Sequence, residues 1–128
     1  VIHHARAFYR DPAAGFDGLF LWDWLHGAFG PKIMPMDFDG VVERGGFFLV
    51  FETKDPGVPV PRGQVFTLDR LTDDYKWTVI FCAKRPKDID GWIVLTRDGR
   101  TQHRGDARDL WRWCAGWYAR VNSCRRTR

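Results

Sequence analysis

Asp37, Asp39 and Glu52 stand in the stretch MDFDGVVERGGFFLVFETK, residues 36–54, among residues that are otherwise mostly apolar and β-prone. A carboxylate in an apolar strand is costly to bury unless something offsets its charge. Gly45-Gly46 predicts a tight two-residue hairpin turn, because both central positions of such a turn take a positive φ. Arg44 then faces Phe47. Counting outward opposes Glu43 to Phe48, Val41 to Val50, Asp39 to Glu52, and Asp37 to Lys54. Side chains alternate across a strand, so these last four pairs share one face, apolar near the turn and charged at the open end. A four-residue loop from Glu43 to Gly46 would instead oppose Asp37 to Glu52 on that same face. Both aspartates therefore stand as candidates, with Asp39 preferred.

Directly opposed carboxylates repel unless a cation lies between them. A hard divalent ion meets that need. Mg²⁺, with Mn²⁺ as a substitute, prefers carboxylate oxygens, and two of them leave most of its coordination sites for water and substrate phosphate. Lys54 follows Glu52 by two positions and so lies on its face. Its ammonium can orient a water or offset charge on an attacked phosphate. The pattern suits phosphodiester hydrolysis.

Asp39-Gly40 followed by Glu52-Thr53-Lys54 on the next strand resembles the PD-(D/E)XK nuclease superfamily. The resemblance spans the first helical segment to WTVIFCAK, and Gly63-Gln64, at the start of a helix, matches a position that often supports the family's metal site. It implies a restriction-endonuclease-like α/β core, with a central mixed β-sheet flanked by helices. It further implies metal ligation by Asp39 and Glu52 with Asp37 as an auxiliary acid, Lys54 as the catalytic lysine, and Gln64 orienting the site. Small size and basic balance look most like the archaeal and phage-type Holliday-junction resolvases, which implies a Mg²⁺-dependent homodimer nicking branched, four-way DNA in recombination. Two departures stand out. Pro35-Met36-Asp37 separates the literal Pro-Asp pair, and the acid that many members carry on the first helix has only Asp23 as a match. Within the superfamily, cleavage of linear duplex or single-stranded DNA in repair or restriction is the alternative. A basic DNA-binding module that kept the fold and lost hydrolysis is another.

The elements that must position these residues read in order along the chain. FDGLFLWDWLHGAF predicts a largely covered helix with Asp17 as N-cap and Gly30-Pro31 closing it. The two strands around Gly45-Gly46 follow, then the breaker-rich loop DPGVPVPRG and a short helix from near Gln64 through Leu68 and Leu71. WTVIFCAK reads as a buried strand, and GWIVLTR and RTQHR flank an Asp98-Gly99 hairpin turn. GDARDLWRWCAGWYARVNS is a helix capped by Asp106 with Asp109 three residues on, its apolar stripe formed by Leu110, Trp113, Cys114, Trp117 and Val121. Trp111 and Tyr118 lie beside that stripe. They suit either a two-fold dimer contact through the C-terminal helix or packing on the neighbouring hairpin.

One α/β domain, residues 1–128, accounts for this length and order. A net charge of +4 and an isoelectric point of about 9.2 accord with a polyanionic partner. Arg6, Arg10, Arg62 and Lys84 are the candidate phosphate contacts, positioning DNA without reading its sequence. No apolar run approaches the roughly 20 residues of a membrane helix, and no export signal opens the chain, so the expected setting is the cytoplasm of a prokaryote or phage-infected cell. Cys82, Cys114 and Cys124 form no CxxC pair, which argues against a disulfide scaffold or zinc knuckle. His3-His4, His26 and His103 lack zinc spacing, and phosphate-binding glycine loops are absent.

Overall fold

The computed structural model describes residues 22–126. They fall into two units, one ending at Met36 and the other beginning at Asp37. In the first, the expected helix is not found over its described part. Residues Asp23–Leu25 form a single 3₁₀ turn with no buried residue, and Trp24 is 76 % exposed. Gly27, at φ 84°, ends helical geometry three residues before the expected stop. Phe16 to Leu21, including the expected cap Asp17, lie outside the described residues.

The second unit holds five strands and two helices: β1 (Gly40–Arg44), β2 (Phe47–Lys54), α1 (Arg62–Leu71), β3 (Trp77–Ala83), β4 (Gly91–Thr96), β5 (Gly99–Arg104) and α2 (Ala107–Arg126). The strands form one mixed sheet in sequence order, and only the β2–β3 pair is parallel. The β1–β2 hairpin has the expected register. Arg44 faces Phe47, Val41 faces Val50, and Gly45 and Gly46 carry φ of 62° and 87°, as a tight primed turn requires. The parallel β2–β3 pair needs a crossover, which α1 supplies.

The β4–β5 turn differs from expectation. Thr96 pairs with Gly99, so the two-residue loop is Arg97-Asp98 rather than Asp98-Gly99. No described non-glycine residue has positive φ, whereas Gly99 sits at φ 112°. A primed turn at Arg97-Asp98 is thereby excluded, and glycine takes the bulge position after an ordinary turn. The register slides by two residues, so faces are conserved while opposite partners change.

Each face of the sheet carries one helix. On one side Leu49, Ile80, Trp92 and Val94 pack with Leu110, Trp117 and Val121 of α2, with Cys82, Trp113 and Cys114 against the cluster. Each such aliphatic or aromatic burial stabilises by about 1.5–3 kcal/mol. The stripe read from the α2 sequence is the one that packs. Asp106 and Asp109 close its start reciprocally: each main-chain N–H donates to the other's carboxylate at 3.0 Å. Arg44 Nε and Nη2 donate to Asn122 Oδ1 at 3.0 and 2.9 Å, tying β1 to α2. On the other face Val50, Glu52, Val79 and Leu95 are buried. Leu68 of α1 is fully buried, and Asp69 lies 4.0 Å from Arg100 of β5, which places α1 on this side.

Candidate active site

Strand direction brings the polar residues to one end of the sheet. Because β2 and β3 run parallel, their C-terminal ends lie together, with Lys54 opposite Ala83. β4 enters and β5 leaves at this end, where Gly91 pairs with Arg104. β1 also begins here, at Gly40 opposite Phe51. The C-terminal ends of parallel strands are where open α/β sheets gather ligands, because the chain leaves the sheet there and frees side chains for chemistry.

Glu52 is the central residue. It is only 2 % exposed, and Gln64, in the first turn of α1, donates Nε2–H to its Oε2 at 2.6 Å. Glu52 Oε1 and Gln64 Oε1 are both buried without a hydrogen-bond partner. Burial raises the Glu52 pKa above its ordinary 4.5, and the charge of Asp39 pushes it the same way; Lys54, Gln64 and the Asp39 main chain act in the opposite sense. Asp39, Lys54 and Gln64 thus each act on the charge of Glu52.

Asp39 takes a different pose from the one that simple alternation implies. The ladder stops at Gly40 and Phe51, so Asp39 lies one residue outside it. Its Oδ2 accepts the main-chain N–H of Thr53 at 2.7 Å and the Thr53 hydroxyl at 3.0 Å. Thr53 belongs to the opposite face, opposite Cys82. The carboxylate therefore closes over the end of β2 instead of standing across from Glu52. Burial raises the pKa of both Glu52 and Cys82, and the Asp39 charge pushes each further in the same direction. Asp37 is exposed.

A hard cation fits this arrangement in part. Two buried oxygens with unused lone pairs are what such an ion binds, and its charge would reverse the electrostatic penalty on Glu52. Among the described residues no three His, Cys, Asp or Glu side chains converge as a metal site. The chain thus offers Glu52, the Gln64 amide oxygen and the nearby Asp39 carboxylate, leaving other positions to water and phosphate.

Comparison with family models, curated proteins and solved structures finds no match.

Of the expected phosphate contacts, Arg62 is exposed at the first position of α1. Lys84 follows β3, donates its main-chain N–H to the Lys54 carbonyl at 3.1 Å, and lies 3.9 Å from Asp55. Both side chains of that pair are more than half exposed, so it holds Lys84 only weakly. Arg6, Arg10 and His3-His4 lie outside the described residues. His103 is a packing residue, stacked on Trp92 at 5.3 Å and edge-on to Trp113 at 6.3 Å. Sequence reasoning missed Thr53, whose role depends on where β1 ends. It also missed a cleft of about 480 Å³ that includes Phe81, Asp90, Gln102 and Arg104. Only strand parity traced across the whole sheet would have drawn attention to it. Trp111 is 70 % exposed and Tyr118 46 %, although the Tyr118 ring receives the Arg44 guanidinium at 5.8 Å. No helix among the described residues is long and apolar enough to cross a membrane.

Proposed function

We propose that the chain is a metal-dependent endonuclease of the PD-(D/E)XK kind, hydrolysing DNA phosphodiester bonds as a Holliday-junction resolvase. One observation carries this reading: a buried glutamate with an orphaned oxygen, hydrogen-bonded to a helix-borne glutamine, at the end of a parallel strand pair and beside a lysine. The order of hairpin, crossover helix and parallel strand is also the order that the superfamily core has.

Glu52 and Asp39 would hold Mg²⁺ or Mn²⁺, which when bound supplies Lewis acidity toward the phosphate and a more acidic water. Gln64 fixes the rotamer of Glu52 by holding one oxygen, so the other is aimed without reorganisation. Lys54, on the Glu52 face, would orient the attacking water and offset charge that builds on the phosphate in the transition state. Arg62 and Lys84, at the same end of the sheet, contact flanking phosphates. Self-association through the exposed Trp111 and Tyr118 face of α2 would give a two-fold dimer suited to symmetric nicking of a four-way junction.

The test is cleavage of a labelled four-way junction and a matched linear duplex in Mg²⁺ and in Mn²⁺. Wild type cuts the junction preferentially, while Glu52→Gln and Lys54→Met lose at least a hundredfold in rate, the scale of removing one electrostatic contributor. Full activity of Glu52→Gln would overturn the nuclease assignment. Equal rates on both substrates would overturn the junction preference.

A further inference from the structure

Phe81 stands opposite Glu52 on β3, and the same row continues through Ile93 to Gln102 of β5. Residues opposite one another share a face, so Phe81 is the next side chain along the sheet from Glu52, one strand spacing or about 4.8 Å away. It is half-buried and lines two adjoining clefts. One, of about 410 Å³, includes Lys54; the other, of about 480 Å³, includes Gln102 and Arg104; Asp90 borders both.

The second cleft has the wrong charge pattern for a phosphate alone, because Asp90 would repel it. Its lining includes an aromatic residue, Phe81, together with an amide, a carboxylate and a guanidinium from Gln102, Asp90 and Arg104. A nucleobase matches all of these. Its flat face stacks on an aromatic ring, and its edge presents donors and acceptors together. Gln102 offers both kinds of group, Asp90 accepts from an exocyclic amino group, and Arg104 donates to a base oxygen or the adjoining phosphate. The volume lies in the ordinary range of small-ligand sites.

Resting on the nuclease reading, we infer that this cleft takes an unpaired DNA base beside the scissile phosphate, stacked on Phe81 and held at its edge by Gln102 and Asp90. The substrate class then follows from energetics. A base in matched duplex must be unstacked and unpaired at a cost of a few kcal/mol, whereas one at a branch point or in a single strand is already free. Junction preference would arise at Phe81 as well as from overall DNA shape.

Binding without hydrolysis tests this. Fluorescence anisotropy is measured in EDTA with a labelled single strand and a four-way junction, each carrying one abasic nucleotide walked through the sequence. Wild type loses roughly tenfold in affinity when the abasic position reaches the cleft. Phe81→Leu, which keeps apolar volume, weakens the intact probe by a similar factor and erases the abasic penalty; Gln102→Ala, an exposed change, reduces it. Unaltered melting temperatures show that both variants fold. Absence of any abasic penalty in wild type, or an undiminished penalty in both variants, overturns the pocket. Because no metal or cleavage is involved, a chain that shows the penalty yet never cuts DNA defeats only the nuclease reading, and one that cuts without the penalty defeats only this one.

Discussion

One oxygen of Asp39 holds Thr53 twice, accepting its main-chain N–H at 2.7 Å and its hydroxyl at 3.0 Å. Thr53, the residue between Glu52 and Lys54, thereby positions the acid contributed by the other side of the hairpin. Two bonds to one oxygen orient the carboxylate at a place where no ladder constrains the chain. Thr53→Val keeps the main-chain bond and removes the hydroxyl. A lost bond of this kind is worth about 1 kcal/mol, or roughly fivefold. The expected result is a fivefold higher Mg²⁺ requirement for cleavage in Thr53→Val, with Thr53→Ser close to wild type. A metal titration of cleavage rate in the three proteins checks it, and identical curves would remove Thr53 from the site.

Glu52 makes stability depend on pH in an uncommon direction for a carboxylate. Its folded pKa is raised, chiefly by burial, so the native state holds a proton that the unfolded state has already lost. Stability from the neutral carboxyl is complete below 4.5, the ordinary value, and is lost as pH rises through the folded pKa. Glu52→Gln should flatten that fall and melt higher than wild type near neutral pH. Mg²⁺ or Mn²⁺ should raise the melting temperature of wild type at neutral pH and leave Glu52→Gln unchanged. Thermal melts over pH 4–8 with and without metal give the answer; a wild-type profile that rises with pH in this range would contradict the assignment.

The start of α2 behaves oppositely. The Asp106 pKa is lowered, first by the Asp109 main-chain N–H that donates to it. Its contribution is present above the ordinary carboxylate range and is lost as pH falls through the folded value. Asp106→Ala should lower the melting temperature at neutral pH while Asp106→Asn, also a good cap, changes it little. The Asp106→Ala deficit should shrink in acid. Calorimetry at two pH values distinguishes the cap from a general charge effect.

Gly91 has no room for a side chain. A Cβ there would lie 2.7 Å from the His103 carbonyl oxygen, which is main chain and cannot swing aside. Gly91→Ala should therefore push β5 away and destabilise by about 1–3 kcal/mol, the scale of overpacking. Chemical denaturation measures the loss. Because Gly91 also borders the Phe81 cleft, binding of the abasic-free single strand should weaken in the same variant.

Local signals were legible wherever one element decides the outcome. Gly45-Gly46 admits the positive φ of a primed turn, so the β1–β2 register followed from counting residues. The heptad-like stripe from Leu110 to Val121 and the Asp106–Asp109 cap placed α2. Helical reading failed over Asp23–Leu25, because a run of apolar residues says little about direction once Gly27 takes positive φ. It also misplaced the β4–β5 loop by one residue, since Asp-Gly suits two turn families and only the pairing of Thr96 with Gly99 chooses between them.

By itself the sequence determined which residues carry charge into an apolar hairpin, that Glu52 and Lys54 share a face, and that a helix beginning near Gln64 follows. These are consequences of fixed periodicity and turn stereochemistry, which act over a few residues. Tertiary structure decided that Gln64 reaches Glu52, that Asp39 turns to Thr53 rather than across the strand, and that Phe81, Gln102 and Arg104 border a cleft beside the acids. Those relations join segments 12 or more residues apart, and they exist only because a parallel β2–β3 pairing and a shared sheet end bring the segments together.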